Sequence, residues 1–332
     1  MFNKLLSGVV SLSFVATVMM AAEGVRFNVT TDDVEDIYNT MVNEKLEDTG
    51  FILSDPHERI NDAYLQKYSK PELDGKKNDA YDPDFKITLD NLGFFSVSAD
   101  EAMRELLIKE PDLGGFTPFN LHIYKEKGKK ETYVGHITPE VMLDIVGVKD
   151  ATVRKAFIKS FKPLDDLVQK EIGGKVVGVG VDKIPSDAMM KFEYKFDRPE
   201  DVTEFVDEFQ EQFEEAFEDH NFIIAGYKNY RETYDDLEQD FEKYDAYWVY
   251  SLCHFVFSYN IFNKGRPDAG AFAPCSMYMY IEKDSNILHI GMPTLQNWKT
   301  VMQIKDAKKL KSIDAIDREI IDIMKDLGAK KI

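Results

Sequence analysis

Apolar and polar positions alternate with period two in short runs along the chain, and these runs are separated by segments of helical period. Val25, Phe27 and Val29 predict a first strand. Asp32 with Glu35 has the spacing of a capping box, and Val34, Ile37, Met41, Val42 and Leu46 continue it as a helix reaching about Glu47. Gly50 releases the chain into a strand at Phe51 to Leu53. The polar stretch from Ser54 to Asp82 reads as a surface insertion with one short helix near Ile60 to Tyr68. A strand from Phe85 to Ser98, a helix from Ala99 to Lys109 and a hairpin, Phe119 to Lys125 with Glu131 to Ile137, follow. Helices over Pro139 to Ile145 and Ala151 to Ile172 end at Gly173, the residue type that turns left-handed after a helix.

The same pattern then recurs. Lys175 to Pro185 is apolar and predicts a packed strand as connector. Met189 to Phe196 is strand-like, and Asp197 with Glu200 offers a second capping box. The helix to His220 carries Val202, Phe205, Val206, Phe209, Phe213 and Phe217 on one stripe and mostly Glu and Asp on the other, a core face and a solvated face. Tyr244 to Phe257 reads as one long strand, followed by a hairpin, two helices and Gly328 in the place of Gly173.

The recurrence extends to residue identity. Pro111 to Gly135 and Pro267 to Gly291 share nine of 25 positions at a fixed shift of 156 (267 − 111): Pro111/Pro267, Asp112/Asp268, Gly114/Gly270, Phe116/Phe272, Pro118/Pro274, Tyr124/Tyr280, Glu126/Glu282, Lys127/Lys283 and Gly135/Gly291. Two units related by internal duplication account for this. The expected division is a signal segment at 1–22, a first unit at 23–174, a connector at 175–187 and a second unit at 188–332. Each unit reads as an α+β, two-layer α/β sandwich with a mixed or antiparallel sheet, and the two units are expected to pair with each other.

Composition adds compartment and exclusions. Among 332 residues, 44% are hydrophobic and 30% charged, as in a soluble globular protein. A formal net charge of −19 opposes the counterion release that binding to nucleic acid requires, and disfavours anionic membrane surfaces. Lys4, an apolar run from Leu5 to Met20 and small residues at Ala21 and Ala22 have the three regions of a secretory signal. Export to a periplasm or the exterior is therefore expected, with no membrane association beyond that segment. Cys253 and Cys275 are the only cysteines; a disulfide, inert buried thiols and a reactive or metal-binding pair are all open readings.

FFSVSADEAMRELLIKEPDLGGFTPFNLHIYKEKG and, more closely, GRPDAGAFAPCSMYMYIEKD resemble the bacterial domain of unknown function 302. Cys275 stands in that family's Pro-Cys strand start, whereas the first unit has Phe119 there. The resemblance implies a compact α/β fold, often dimeric as a single unit, and no established activity; a tandem copy would be that dimer made covalent.

Strong catalytic motifs are absent. GVGVDK lacks the later glycine of a dinucleotide loop, HERIND is not HExxH, and there is no CxxC, CxxCH or GxSxG. What remains is a set of imidazoles and phenols on the hairpins. A turn centred on Lys129 sets His122 opposite His136, and one centred on Gly128 sets them diagonally, both on the face carrying Tyr124. Such a pair can ligate a transition metal or haem iron. Cys253, His254, Cys275 and His289 converge less well, because adjacent residues of a strand face opposite ways. Tyr278 and Tyr280, with Tyr247, Trp248, Tyr250 and Phe255, line either a ligand pocket or the seam between units. The leading expectation is a non-enzymatic protein that binds a small ligand, haem or metal, with candidates His122, Tyr124, His136, Tyr278 and Tyr280. The alternatives are an acidic protein-interaction module without a small ligand, and a Cys- or metal-dependent enzyme.

Overall fold

A computed structural model describes residues 23–332; the signal segment expected at 1–22 lies outside them. The first unit contains strands β1 (Glu23–Thr30), β2 (Ile52–His57), β3 (Leu89–Ser98), β4 (Phe119–Glu126), β5 (Thr132–Ile137) and β6 (Lys175–Gly180). Its helices are α1 (Glu35–Thr40), α2 (Ile60–Tyr68), α3 (Asp100–Lys109), α4 (Pro139–Val146) and α5 (Ala151–Glu171). The second has β7 (Met189–Lys195), β8 (Phe222–Asn229), β9 (Tyr244–His254), β10 (Cys275–Glu282), β11 (Ile287–Pro293) and β12 (Lys330–Lys331). Its helices are α6 (Val202–Asp219), α7 (Tyr230–Asp236), α8 (Phe255–Phe262), α9 (Gln296–Val301) and α10 (Ala307–Asp326).

These strands pair antiparallel in two six-stranded sheets of order β2-β3-β4-β5-β1-β6 and β8-β9-β10-β11-β7-β12, and Glu72–Leu73 pairs with Lys76–Lys77 in a separate two-stranded ladder. The second order is the first with six added to each label. The 156-residue shift persists beyond the hairpins: Asp150 caps α5 by accepting from Thr152 and Val153 amides, and Asp306 caps α10 by accepting from those of Lys308 and Lys309. Gly173 and Gly328 follow these helices at φ 68° and 92°, the left-handed conformation expected of them.

Several local expectations give way to tertiary packing. The first long helix breaks into α1, a π-turn over Met41–Lys45 and a short 3₁₀ turn, and neither Asp32 nor any other side chain caps it. In the second unit Asp201 caps α6 by accepting from the Thr203 amide, so the Asp197/Glu200 box is not formed. The strand expected to reach Phe257 stops at His254, whose ring accepts from the Phe257 amide and opens α8. β6 is a strand as predicted but lies on the sheet edge with Val176 and Val177 exposed, because β1 is its only neighbour.

The first polar insertion holds the expected helix at Ile60–Tyr68 and is mostly exposed over residues 70–86, but both insertions also pack across to the other unit. In each unit one sheet face carries the long helices, and the other faces the partner unit. The 3₁₀ segment Pro111–Phe116 lies over β10 and β11, and Pro267–Phe272 lies over β4 and β5. The insertions reach across as arms. Tyr64 on α2 donates to Ser258 Oγ at 2.9 Å, and Tyr234 on α7 donates to the Asp100 carbonyl at 2.9 Å. Tyr68 stacks on Tyr259 with ring centroids 3.9 Å apart, while the largely buried pair Lys228 and Asp100 closes at 2.5 Å. Tyr64 and Tyr234 bury large apolar bodies and keep their hydroxyls bonded, which a polar average over the insertion conceals.

Candidate functional site

The β4–β5 register decides which candidates share a site. His122 pairs with Gly135 and Tyr124 with Tyr133, so the turn centres midway between Gly128 and Lys129. One residue of register exchanges the faces of a strand, and His136 therefore points away from His122, correcting the expected pair. The two cannot serve one ion. Among the described residues no group of three His, Cys, Asp or Glu side chains converges as a metal site.

His122 is wholly buried on the seam face, with Nδ1 2.9 Å from the Gly93 carbonyl oxygen and Nε2 2.8 Å from that of Pro267 in the other unit. Burial pushes its pKa down to about 4. Tyr124 stacks on this ring at 5.3 Å and on Tyr133 at 4.6 Å, and burial raises its phenol far above the ordinary value. At the pseudo-equivalent place Tyr278 donates to Asp112 Oδ1 at 2.5 Å, and Tyr247 donates to the Pro111 carbonyl at 2.5 Å. Tyr280 is half-buried between Tyr247, at 5.8 Å, and His289, at 4.8 Å. Tyr278 and Tyr247 thus belong to the seam, one of the two roles open to the aromatic set, and Tyr124 lies there with them.

His136 lines a cleft on the helix face of the first sheet, about 450 Å³ in volume, between β1, β5 and α5. Its Nδ1 lies 2.7 Å from the Ile137 carbonyl oxygen and its Nε2 3.1 Å from Asp165 Oδ1. Asp165 Oδ2 accepts from Arg26 Nη1 at 3.1 Å. Burial opposes charge on Asp165, but the His136 bond and the positive Arg26 outweigh it and hold the carboxyl below its usual range. Glu23, Glu140 and Lys162 stand around the opening. Arg26 keeps a buried Nε–H without a partner. Both ring nitrogens of His136 are engaged, so this site offers fixed charges and donors in place of an open metal ligand.

The second unit supplies a comparison within the same chain. Arg26 pairs across the strands with His136, and Met190 pairs with Met292 at the corresponding place. The 156 shift that superposes the two helix caps takes Asp165 to Ile321. The fold therefore accommodates two methionines and an isoleucine where the first unit keeps Arg, His and Asp. His136 was legible as a candidate; Arg26 and Asp165 were not, since only the strand register and the helix docking bring them to it. Asp165 against Ile321 in the aligned repeats was the available signal.

Cys253 and Cys275 are free thiols. Cys275 pairs with Leu252, so Cys253, the next residue, turns to the other side of β9, and the disulfide reading is not realised. They flank an apolar void of about 30 Å³, near one water in size, where Cys275 and Asp317 replace the rings of Phe119 and Phe161. Burial pushes Cys253 up to about 11 and Cys275 higher still. Labelling by an aromatic disulfide reagent at pH 8 is expected to run at least about a hundredfold slower in the native protein than in urea, because the thiolate is the attacking species. Labelling at equal rates would refute this placement.

Among solved structures the chain is similar to the crystal structure of an uncharacterized conserved protein DUF302 from Bacillus stearothermophilus, at 16% identity and a TM-score of 0.34 over 42% of this chain and 98% of that one. No family model and no curated protein matches the chain.

Proposed function

We propose that the chain is an exported binding protein without a catalytic step, whose first unit holds a small ligand carrying both charges, such as a free amino acid, in the Arg26–Asp165–His136 cleft. The observation that carries this reading is the replacement of all three residues by Met190, Ile321 and Met292 in the second unit. His136 is buried while Arg26 and Asp165 are partly exposed; such an ion-paired set seldom beats apolar packing for stability, so its retention on one side only has a reason other than folding. The volume lies in the range of small-molecule sites. Arg26 and Lys162 suit a carboxylate, and Glu23 and Glu140 an ammonium group.

Isothermal calorimetry against glycine, alanine, glutamate and lysine, on wild type and on Arg26→Met/His136→Met/Asp165→Ile, tests this. Binding of at least one amino acid is expected, weakened about a hundredfold in the triple variant, because two charge-assisted hydrogen bonds to the ligand are removed. Its thermal stability is expected to stay equal or rise, since the second unit already packs these residues. No heat from any of the four, or heat unchanged in the variant, would refute the reading. Export is tested separately, by the N-terminal sequence of protein recovered outside the cytoplasm.

A further inference from the structure

Lys228 on β8 and Asp100 at the start of α3 meet across the two units, Nζ to Oδ2 at 2.5 Å, with side chains only 10% and 9% exposed. Their surroundings are aromatic. Tyr230 and Tyr234 are wholly buried, the Lys228 nitrogen lies 5.5 Å from the centre of the Tyr230 ring, and Ser98, also buried, donates to Asp100 Oδ1 at 2.7 Å. That bond holds the carboxyl with its other oxygen against the lysine. The 156 shift takes Asp100 to Val256, which is exposed in the second unit, so the repeated fold does not depend on the pair.

Enclosure disfavours the charged form of both groups. Passage of one proton from Nζ to Oδ2 leaves a neutral amine held against a neutral carboxylic acid, which are the two partners of an amide condensation. A third carboxyl stands beside them. A Cβ at Gly226 would overlap Asp55 Oδ2, and Gly226, two residues before Lys228 in a regular stretch of β8, shares its face of the strand. Burial raises the Asp55 carboxyl above the usual range, against the opposing charges of His57 and Lys228, so it keeps a proton more readily than an exposed aspartate.

We propose that Lys228 and Asp100 condense to an intramolecular amide that staples the two units together, with Asp55 carrying the protons. Lys228 Nζ bonds to Asp100 Cγ, Asp55 takes the proton the nitrogen sheds and gives its own to the departing hydroxyl, the Cγ–Oδ2 bond breaks, and one water leaves. The reaction needs no oxidant and no cofactor. The fixed contact supplies the effective concentration, and exclusion of water opposes hydrolysis of the product. The link would join residues 128 positions apart, and it stands or falls apart from the Arg26 cleft.

Mass spectrometry of a tryptic digest of the unfolded protein tests this. An acylated Lys228 is no longer cut, so wild type is expected to give one branched peptide, residues 87–104 joined to residues 196–231, lighter by one water than the two together. Lys228→Arg is expected to give only unlinked peptides, and Asp55→Asn to slow linkage about a hundredfold or more, read as the linked fraction against time after synthesis. Wild type that is folded yet yields residues 87–104 unlinked, with the chain cut after Lys228, would overturn the inference. Linkage at the wild-type rate in Asp55→Asn would overturn the part given to Asp55.

Discussion

Valine at Gly114 or Gly270 is expected to lower stability by about 3 kcal/mol each, near the upper end for overpacking. A Cβ at Gly270 would stand 2.5 Å from His122 Cε1 and 2.9 Å from Phe94 Cε1, and one at Gly114 would stand 2.5 Å from the Tyr278 Cβ and against the Tyr247 hydroxyl. Each glycine lies in the 3₁₀ segment that one unit lays over the central strands of the other. The clash is therefore between units, and relief requires that they part. Urea unfolding midpoints measure the effect. A midpoint unchanged in both variants would mean that the seam is not packed as closely as described.

Acidification is expected to weaken the same seam through His122. Its pKa lies at about 4 in the folded chain, against about 6.5 in an unfolded one, so folding favours the neutral ring. The stabilisation is complete above about pH 6.5 and is lost as pH falls through 4, amounting to about 3 kcal/mol at about 1.4 kcal/mol per pH unit. A neutral ring has one N–H for two carbonyl oxygens, those of Gly93 and Pro267. Protonation would satisfy both, and nearby Asp268 also favours it, but neither offsets the cost of a cation among Phe27, Phe94 and Tyr124. Comparing wild type with His122→Gln at pH 7 and pH 4 isolates this group from the carboxylates that titrate in both. The advantage of wild type is expected to shrink by about 3 kcal/mol between the two pH values. A difference independent of pH would refute it.

The fold was legible where local pattern and core burial agree. Strand alternation, the Phe stripe of α6, the closing glycines and the repeated Pro-Gly-Phe-Pro motif all mark what the structure builds. The motif's Gly114/Gly270 pair was visible as a repeat, but its reason, close approach of the other unit, was not. The tyrosines of the arms were hidden for a similar cause: a residue every fourth place in a polar insertion carries no sign of the distant surface that covers it. At the site, a turn misplaced by half a residue set His122 and His136 on one face, and no local signal corrects that. Arg26 and Asp165 lie 139 positions apart, and only the finished sheet and helix layer bring them together.

The seam also sets a schedule for biosynthesis. A chain made from its N-terminus has all strands of the first sheet once Gly180 is complete, yet the segment that covers β4 and β5 ends at Phe272, a further 92 residues on (272 − 180). At about 5–20 residues per second this leaves Phe94, His122 and Tyr124 uncovered for about 5–20 s. For that interval the nascent first unit presents to its surroundings the aromatic surface that the finished protein hides, and whatever escorts the chain has that surface to hold.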